Sequence, residues 1–538
     1  MDEDREHARR WWTLAVLCLC LVITGVDNTI LNVALPSIVR DLGATGSQLQ
    51  WMVDAYTIVF ACLLLTAGSL GDRYGRRRAL MFGLAWFGTF SAVASFAGSP
   101  SQLILARGAM GVGGAFIYPT TLSILTNTFR DPVERAKAIG IWAGVSGLGI
   151  VIGPLAGGLL VERLGWSSVF FVNVPICLLA LVLNPLFVPN TSARDESPLD
   201  PAGALLSILG MVGLLWAVIE APDRGWGDPQ VLIGFAFGTV FVASFWWWEL
   251  HSPSPLLDVR FFKNPRFSAA SATITLTYFA MFSSTFLLTQ YFQFILHYSP
   301  LKAGVMLTPV AVGLMLGSPM APRLVFRWGT KRVVVCGLCI VAASMACYGS
   351  NTLMSNFGIG LILRLTYGLG VGITAAPVTE SIMGSLPPSR AGVGSAVNDT
   401  TRQTGGAVGV AVVGSAFASR YHARIGSLGF LPGDVRSSAR ESIGTSLQAA
   451  AKLPADQARR LTQLAHVAYL SSMRIAYTLA VMVVGCAVVV ATRWLPARAE
   501  SAREPVAPSR GRGASRHGAV APDLAVAGDL AVEGGGVD

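Results

Sequence analysis

The stretch GSLGDRYGRRR at residues 68–78 decides the fold of this chain, because a matching stretch, FRWGTKR, recurs at residues 326–332. Both follow an apolar run of helix length, and both hold an arginine, an aromatic residue, a glycine and two basic residues in the same order. Basic residues at the end of an apolar run stay in water, and glycine permits the tight turn that a short loop needs. Each stretch therefore predicts a loop between two membrane helices, and the recurrence predicts a chain built from two repeats.

A second pair of matching segments supports the repeat. LILARGAMGVG at residues 103–113 corresponds to LILRLTYGLG at residues 361–370, and in each an arginine precedes glycines four and six residues later. These arginines are Arg107 and Arg364. Their separation in sequence is close to that of the two loop stretches, which two homologous halves explain better than chance.

The composition is that of a membrane protein. Of 538 residues, 53% are hydrophobic and 13% are charged, and the mean hydropathy is +0.56. A soluble domain carries about 25% charged residues, so the excess of apolar residues must face lipid. About fourteen apolar runs are long enough to cross a bilayer as helices. These runs are residues 12–35, 49–70, 79–97, 102–126, 138–160, 168–188, 202–220, 230–249, 267–295, 302–325, 332–350, 356–384, 397–418 and 469–494.

The sequence thus predicts an all-α polytopic membrane protein in which two six-helix halves flank an inserted helix pair. The predicted divisions are a cytoplasmic N-terminus (1–11), an N-terminal half (12–190), the inserted pair (200–250), a C-terminal half (265–495) and a disordered cytoplasmic tail (497–538).

Positive charge predicts the orientation. Basic residues are concentrated in alternate loops, at residues 73–78, 130–137, 260–266 and 323–332. Because cytoplasmic loops carry an excess of arginine and lysine, both termini are predicted to be cytoplasmic. One extracytoplasmic loop, at about 419–468, departs from this pattern and holds several arginines. Within it, residues 437–466 have helical spacing and are predicted to form a surface helix.

Asp27 lies near the middle of the first apolar run, where a carboxylate costs about 2.5–3.5 kcal/mol on insertion scales. Such a residue is retained where it faces a cavity or a partner, so Asp27 predicts proton or cation coupling. The alternative is a structural hydrogen bond to a near neighbour such as Thr29 or Asn32. Arg107 is a permanent charge in the fourth run, and it needs a carboxylate or backbone carbonyls as partners. A fixed structural bridge is the alternative to a coupling role for Arg107.

Two further acids are candidates for the proton-coupling or substrate cavity. Asp54 lies within a turn of the outer end of the second run, and Glu380 lies one turn from the inner end of the twelfth. A wetted carboxylate at the interface is the alternative for Asp54, and pairing with Arg390 is the alternative for Glu380. Arg364 comes close to the start of its run and is interpreted as structural.

Two glycine-containing segments predict moving parts. In the loop at 68–78, Asp72 can form a breakable latch against a helix end or an arginine. An ordinary basic loop is the alternative. In the fifth run, GLGIVIGPLAGG at residues 147–158 lets a neighbouring helix approach closely, and Pro154 kinks the helix because it removes a backbone hydrogen bond. A plain packing seam is the alternative there.

Together these motifs resemble those of the major facilitator superfamily, and within it the fourteen-span drug:proton antiporter family, over about residues 12–495. The loop resembles the superfamily signature, and residues 147–158 resemble the antiporter motif of its exporters. Three more segments resemble signatures of the antiporter family: DNTILNVALP at 27–36, WMVDAY at 51–56 and NDTTRQTGGA at 398–407. The chain departs from the family at residues 166–168, where Trp-Ser-Ser replaces Trp-Arg-Trp and an outer-loop charge is missing.

The resemblance implies the major-facilitator fold and a proton-coupled exporter of lipophilic, often cationic, drugs or antibiotics in the cytoplasmic membrane. It implies protons, lipid and a small molecule as partners, a functional monomer, and no metal or cofactor. For Arg107 it implies a role in proton coupling, together with the candidates Asp27, Asp54 and Glu380. The predicted conformational loop comprises Gly68, Asp72, Arg73, Gly75, Arg76 and Arg77, and the predicted antiporter helix carries Gly149, Gly153, Pro154, Gly157 and Gly158.

Two other functions are compatible with this fold: export of one endogenous metabolite or antibiotic, and uptake by a permease. An enzyme is not predicted, because no Ser-His-Asp set and no phosphate loop is evident in the sequence. The six histidines also offer no paired metal ligands. The net charge of +10 is spread over short loops without a basic, aromatic-containing face, so nucleic-acid binding is not predicted. The eight cysteines lie in apolar runs and are interpreted as small packed residues.

Overall fold

The computed structural model describes residues 2–129, 131–189, 200–255, 257–349, 357–385, 391–425, 431, 436 and 439–497. Several predicted features lie outside the described residues. These are Arg390, the side chain of Asp72, residues 437 and 438 of the predicted surface helix, and the predicted tail beyond residue 497.

Nearly all of the described chain is α-helical, and no residue in it belongs to a strand. This part of the chain forms sixteen α-helices, a 3-10 turn at Val259–Lys263 and a π-helical turn at Tyr291–Ile295. The α-helices are α1 (Asp2–Leu42), α2 (Gly46–Tyr74), α3 (Arg76–Ser95), α4 (Pro100–Thr128), α5 (Pro132–Leu164), α6 (Ser168–Phe171), α7 (Asn173–Phe187), α8 (Pro201–Arg224), α9 (Pro229–His251), α10 (Pro265–Gln290), α11 (Pro300–Trp328), α12 (Thr330–Tyr348), α13 (Phe357–Met383), α14 (Ala391–Arg424), α15 (Ile443–Ala450) and α16 (Ala455–Trp494).

The predicted apolar runs coincide with these helices. Each run overlaps one helix, except that residues 168–188 are divided into α6 and α7 at Val172, and residues 267–295 end in the π-helical turn. In the part of the chain that the structure describes, ten helical segments are long and apolar enough to cross a membrane, judged by length and composition. The predicted all-α class is therefore confirmed for the described residues.

Besides α5, which begins at Asp131–Pro132, five helices begin at the same local signal, a capping residue followed by proline. Proline suits the first helical position because the missing N–H would have no partner there, and the preceding side chain accepts a hydrogen bond from the first turn. The five pairs are Ser99–Pro100, Asp200–Pro201, Asp228–Pro229, Asn264–Pro265 and Ser299–Pro300. This signal fixes where α4, α8, α9, α10 and α11 start.

The two copies of the loop motif form the same turn. The chain passes from α2 to α3 at Gly75 (φ 102°) and from α11 to α12 at Gly329 (φ 81°), a region of backbone space that favours glycine. In each turn the glycine N–H donates to a carbonyl of the preceding helix, Gly71 O at 3.1 Å and Val325 O at 2.8 Å. The motif's glycine therefore has the same task in both copies.

The glycines that follow the repeated arginines also make equivalent contacts. A Cβ atom added to Gly113 of α4 would lie 2.8 Å from Gly83 O of α3. One added to Gly370 of α13 would lie 2.9 Å from Gly337 O of α12. Both distances are shorter than ordinary van der Waals contact, so each pair of helices touches backbone to backbone at a glycine.

Helices α8 and α9 form a hairpin at the edge of the bundle. α8 packs against α2 and α14, whereas α9 packs mainly along α8 and leaves most of its surface exposed. Trp246 and Trp247 are among its exposed side chains. An apolar helix exposed on this scale needs lipid around it.

The predicted surface helix at 437–466 differs from the structure. The short helix α15 ends at Ala450, and α16 then continues without a break from Ala455 to Trp494. Pro454 separates them because proline cannot continue the hydrogen bonding of a helix. α15 packs over the end of α1, where Gln448 Nε2 donates to Val39 O at 2.7 Å, and it is mostly covered.

Candidate functional site

Asp27 is fully buried in the middle of α1 and is held by side chains from two other helices. Its Oδ2 accepts a hydrogen bond from Arg107 Nη1 of α4 at 2.5 Å, and its Oδ1 accepts one from Asn173 Nδ2 of α7 at 3.3 Å. Thr29, an alternative partner in the sequence, donates instead to backbone carbonyls, including Gly149 O of α5. The carboxylate is thus paired across helices, and the structure brings Asp27 and Arg107 together.

Arg107 has three kinds of partner around a side chain that is only 2% exposed. Besides the contact with Asp27, its Nε donates to Met52 O at 3.1 Å, and its guanidinium carbon lies 4.4 Å from the centroid of the Tyr56 ring. Both of these partners belong to α2. A buried ion pair of this kind is balanced only while both charges are present, because loss of either leaves the other unpaired in a medium of low dielectric constant.

Asn173 connects the ion pair to α3. The same Nδ2 atom lies 3.1 Å from Ser91 Oγ, and Ser91 Oγ donates to Phe170 O at 2.8 Å. Sequence reasoning missed Asn173 as a site residue. The available signal was an amide side chain two residues before Pro175 in an otherwise apolar run.

Asp54 lies on α2, between Met52 and Tyr56 in sequence, and it is fully buried. Neither of its carboxylate oxygens has a hydrogen-bond partner in the described part of the chain. The side chain is therefore not a wetted interfacial group in this conformation. An ionised carboxylate buried without a donor or a cation is expensive, whereas a protonated one costs far less.

Glu380 does not join the cluster around Asp27, because its side chain on α13 is exposed. The adjacent Thr379 instead belongs to a second polar cluster, which the sequence reasoning missed. Its Oγ1 accepts from Arg402 Nη2 of α14 at 2.8 Å, and Arg402 Nη1 lies 3.9 Å from Asp399 Oδ1. The guanidinium of Arg402 also lies 5.1 Å from the ring centroid of Tyr278 in α10. The signal for this cluster was a pair of opposite charges three residues apart in the run 397–418.

A central cavity of about 50 Å³ lies between helices of the two repeats. Asn32, Thr57 and Arg107 line it from α1, α2 and α4, and Met281 and Thr285 line it from α10. Sites for drug-sized molecules have volumes of about 300–1,000 Å³. In this conformation the cavity is too small for such a molecule, so the surrounding helices must separate to admit one.

Three glycines of α5 form its contact with α1. Gly149, Gly153 and Gly157 lie on one face, and a Cβ added to Gly157 would lie 2.6 Å from Ile30 Cγ1. The absence of side chains on this face brings α5 directly against the part of α1 that carries Asp27.

The other face of α5 approaches α11 of the second repeat. A Cβ added to Gly158 would lie 2.7 Å from Pro300 O, and one added to Gly304 would lie 2.7 Å from the carbonyl carbon of Pro154. The antiporter-like segment therefore contacts α1 through one face and α11 through the other.

The arginines of the loop at 68–78 tie two helix ends together. Arg76 Nη1 lies 3.4 Å from Ser123 O in the last turns of α4, and Arg77 Nη1 lies 3.3 Å from Val188 O directly after α7. Carbonyls at the C-terminal end of a helix attract positive charge, so both contacts are favourable. Arg73 is exposed and lies over the ring of Tyr74.

Among the described residues, the second loop shows no such contact at the position of Arg76. Thr330 takes the position of Arg76 after the turn glycine, and its buried hydroxyl has no hydrogen-bond partner in the described residues. Gly68 packs beside Pro119 of α4, where an added Cβ would lie 3.8 Å from the proline Cβ. The latch role of Asp72 stays a prediction, because its side chain lies outside the described residues.

Within the described ranges, no group of three histidine, cysteine, aspartate or glutamate side chains is placed to hold a metal ion. The cysteines are free thiols, but their interpretation as packed residues is wrong for Cys336, Cys339 and Cys486, which are exposed. Cysteine behaves as a small hydrophobic residue, so it can face lipid without a partner.

A bundle of membrane-length helices with two matching turns, and with a buried charge pair beside a central cavity, is the arrangement of a secondary transporter. The chain belongs to the Major Facilitator Superfamily, whose pattern it matches over residues 17–410. It is accordingly a multi-pass membrane protein.

Several characterised relatives are similar over most of their length. The chain is 35% identical to the multidrug efflux pump LfrA of Mycolicibacterium smegmatis, covering 89% of this chain and 95% of the relative. It is 33% identical to the tetracenomycin C resistance and export protein of Streptomyces glaucescens. That match covers 90% of this chain and 92% of the relative. It is 35% identical to the puromycin resistance protein pur8 of Streptomyces alboniger. That match covers 75% of this chain and 81% of the relative.

Solved structures confirm the fold. A bacterial homologue of the human lysosomal transporter Spinster, in an inward-facing and unoccupied conformation, superposes with a TM-score of 0.66. The match covers 90% of this chain and 98% of that chain at 17% sequence identity.

Proposed function

We propose that this protein is a proton-coupled secondary transporter that exports lipophilic, often cationic, drugs or antibiotics across the cytoplasmic membrane. The observation that carries the proposal is the buried pair of Asp27 and Arg107, whose arginine lines the central cavity. Relatives named for multidrug efflux and for antibiotic resistance, at 33–35% identity, support export and the class of cargo. The proposal includes no enzymatic step and no cofactor other than the proton gradient.

The proposed topology has fourteen spans, formed by α1–α5, α6 with α7, α8–α14, and α16. α1–α7 and α10–α16 form the two six-helix halves, and α8 with α9 is the inserted pair. The peripheral position of the hairpin and the matching turns at Gly75 and Gly329 support this division. The concentration of arginine in alternate loops supports cytoplasmic termini, and the unit is proposed to work as a monomer.

Electrostatics supply the coupling. With Asp27 ionised, it and Arg107 together carry no net charge, and a cationic molecule can enter the cavity without repulsion. When Asp27 takes up a proton, Arg107 keeps its charge and the cavity wall becomes positive, so a cation is expelled. If protons reach Asp27 from outside and leave it to the inside, the inward proton gradient drives export.

Asp54 provides a second place for a proton. Its carboxyl group is buried without a partner, so we propose that it is protonated in this conformation and ionises when the surrounding helices separate and admit water. Glu380 is exposed, so any part it has in coupling is proposed to lie outside this cluster.

Alternating access requires contacts that keep each half rigid and contacts along which the two halves can move against each other. The contacts of Arg76 and Arg77 with the ends of α4 and α7 would hold the first half as one body. The glycine faces of α5 would let the two halves rock, because α5 touches α1 on one side and α11 on the other with almost no intervening side chains.

The test is efflux from proteoliposomes under an imposed pH gradient, with a fluorescent lipophilic cation as cargo. Asp27→Asn is expected to give a folded, inserted protein whose efflux no longer responds to the gradient. Asp41→Asn is the matched control, because Asp41 lies in the same helix but is exposed. Gradient-driven efflux that is unchanged in Asp27→Asn would falsify the coupling role.

A dedicated exporter of a single antibiotic is the second candidate. It is supported by relatives that are named for one compound each, tetracenomycin C and puromycin. Competition separates the two functions. A multidrug pump is expected to lose transport of one labelled substrate when many unrelated dyes are added, whereas a dedicated exporter is expected to ignore most of them.

A further inference from the structure

Arg364 is a second buried arginine that the proposed coupling mechanism does not use. It occupies the position in α13 that Arg107 occupies in α4, and its side chain is likewise only 2% exposed. Arg107 contacts Met52 of α2, and Arg364 contacts Met306 of α11, where its Nη2 lies 3.6 Å from the methionine sulfur. The two repeats therefore bury an arginine at corresponding places.

The partners of the two arginines differ. Arg107 is paired with Asp27, whereas Arg364 forms no ion pair with any described residue. The sequence separation of the two arginines, applied to Asp27, leads to Ser284 in α10, which is neutral. The second repeat has thus retained the cation and lost the acid.

The surroundings of Arg364 are aromatic. Its guanidinium carbon lies 5.1 Å from the ring centroid of Phe292, and Tyr291, Tyr298 and Tyr348 are close enough to interact with its charge. The Tyr348 hydroxyl donates to Leu363 O at 3.2 Å, so it is already engaged. Ring faces relieve part of the cost of burying a cation, but they do not accept its hydrogen bonds as a carboxylate does.

A further positive charge lies nearby. Lys302 Nζ is 3.8 Å from the ring centroid of Tyr298, on the outer side of the same aromatic group. The described groups that face Arg364 are aromatic rings and a methionine, with no acid among them.

Two hydrogen-bond donors in this region lack an acceptor. Among the described residues, Arg364 Nε has no hydrogen-bond partner, and neither has the Tyr367 hydroxyl, although Ser284 lies close to it. Arg364 and Tyr367 are three residues apart in α13, so their side chains project from the same face of the helix. A buried donor without an acceptor is rare in folded proteins and calls for a ligand or an ion.

We propose that Arg364 Nε and the Tyr367 hydroxyl bind a small monovalent anion, which is chloride or the carboxylate group of an organic molecule. A single anion balances the single buried charge and can accept a hydrogen bond from each of the two donors. The aromatic enclosure favours a small, weakly hydrated anion over a divalent one such as sulfate, which costs more to strip of water.

The experiment measures the unfolding temperature of the purified protein in detergent, where no proton gradient exists. Its outcome is therefore independent of whether the protein exports drugs. Sodium sulfate is replaced stepwise by sodium chloride or sodium formate at constant ionic strength. The wild-type protein is expected to show a saturable rise of about 2–4 °C in chloride, in formate or in both.

Arg364→Gln is expected to abolish this rise and to be at least as stable as the wild type in sulfate, because it removes an uncompensated charge. Arg474→Gln is the matched control: Arg474 belongs to the same half but is exposed, so the rise is expected to remain. If Arg364→Gln does not fold, Tyr367→Phe removes only the second donor and is expected to raise the half-saturating anion concentration about tenfold.

The two sources of the anion are distinguished by the same titration. A rise with chloride identifies an inorganic ion, and a rise with formate and benzoate but not with chloride identifies an organic carboxylate. Equal unfolding temperatures in sulfate, chloride and formate for the wild-type protein would overturn the proposal. So would a saturable rise that persists in Arg364→Gln.

Discussion

A double-mutant cycle on Asp27 and Arg107 tests the central ion pair. Asp27→Asn keeps the shape of the side chain but removes the negative charge beside the guanidinium, whose other partners are Met52 O and the face of Tyr56. Removing one member of a buried pair costs about 3–5 kcal/mol. Because the new amide oxygen can still accept one hydrogen bond from Arg107, we expect the lower part of that range for this variant.

Arg107→Gln is expected to cost more than Asp27→Asn. It leaves Asp27 with a single donor, Asn173 Nδ2 at 3.3 Å, and without a cation. The double variant carries no charge at either position, and the two amides can bond to each other. It should therefore be more stable than the sum of the single losses implies, with a coupling energy of about 2–3 kcal/mol.

The assay is equilibrium unfolding in mixed detergent micelles, followed by intrinsic fluorescence at one pH and one salt concentration. Each variant is compared with the wild type, and the coupling energy is the departure from additivity. If the losses of the single variants add to within about 0.5 kcal/mol, the two side chains are not energetically coupled and the proposed charge balance of the cavity is wrong.

Three more predictions follow from close contacts and loop charges. Gly157→Ala is expected to cost about 1–3 kcal/mol and to slow efflux, because the new methyl group overlaps α1, whereas Gly485→Ala, which meets nothing within 4 Å, should be neutral in thermal unfolding. Arg77→Ala is expected to lower the unfolding temperature, because it frees a carbonyl at the end of α7, whereas the exposed Arg78 should tolerate alanine; equal effects would contradict the clamp. Just before α15, burial of the Glu441 carboxyl group raises its pKa, and the nearby Asp223 raises it further. The folded state therefore binds its proton more tightly than the unfolded state, so stability falls as the pH rises above about 4.3, and Glu441→Gln should show a slightly smaller fall between pH 4 and 7.

Much of the site was visible in the sequence because charge in an apolar run is conspicuous. Asp27, Asp54 and Arg107 stand out for that reason, and all three are buried in the structure. Asn173 and Ser91 are less conspicuous, because neutral polar residues are common in membrane helices. Their part in the network depends on α7 packing against both α1 and α3, which no local pattern encodes.

The prediction for residues 437–466 was wrong for an equally local reason. Residues 437–466 have helical spacing, but spacing does not reveal that Pro454 divides them or that α15 packs on α1. The coupling role of Glu380 stays a prediction, because the sequence shows only its place near the inner end of an apolar run. Its exposure depends on which face of α13 meets its neighbours, and the hydrophobicity of that helix is too uniform to indicate the face.

The sequence by itself determined that the chain is helical, where most helices begin and end, and that its loop and arginine motifs recur. Those properties are local: the length of an apolar run, a cap before a proline, and a glycine where the backbone needs positive φ. Only the tertiary structure decided that Arg107 has an acid and Arg364 has none. The reason is that the partner of a buried charge comes from another helix, and its distance is set by how the helices pack.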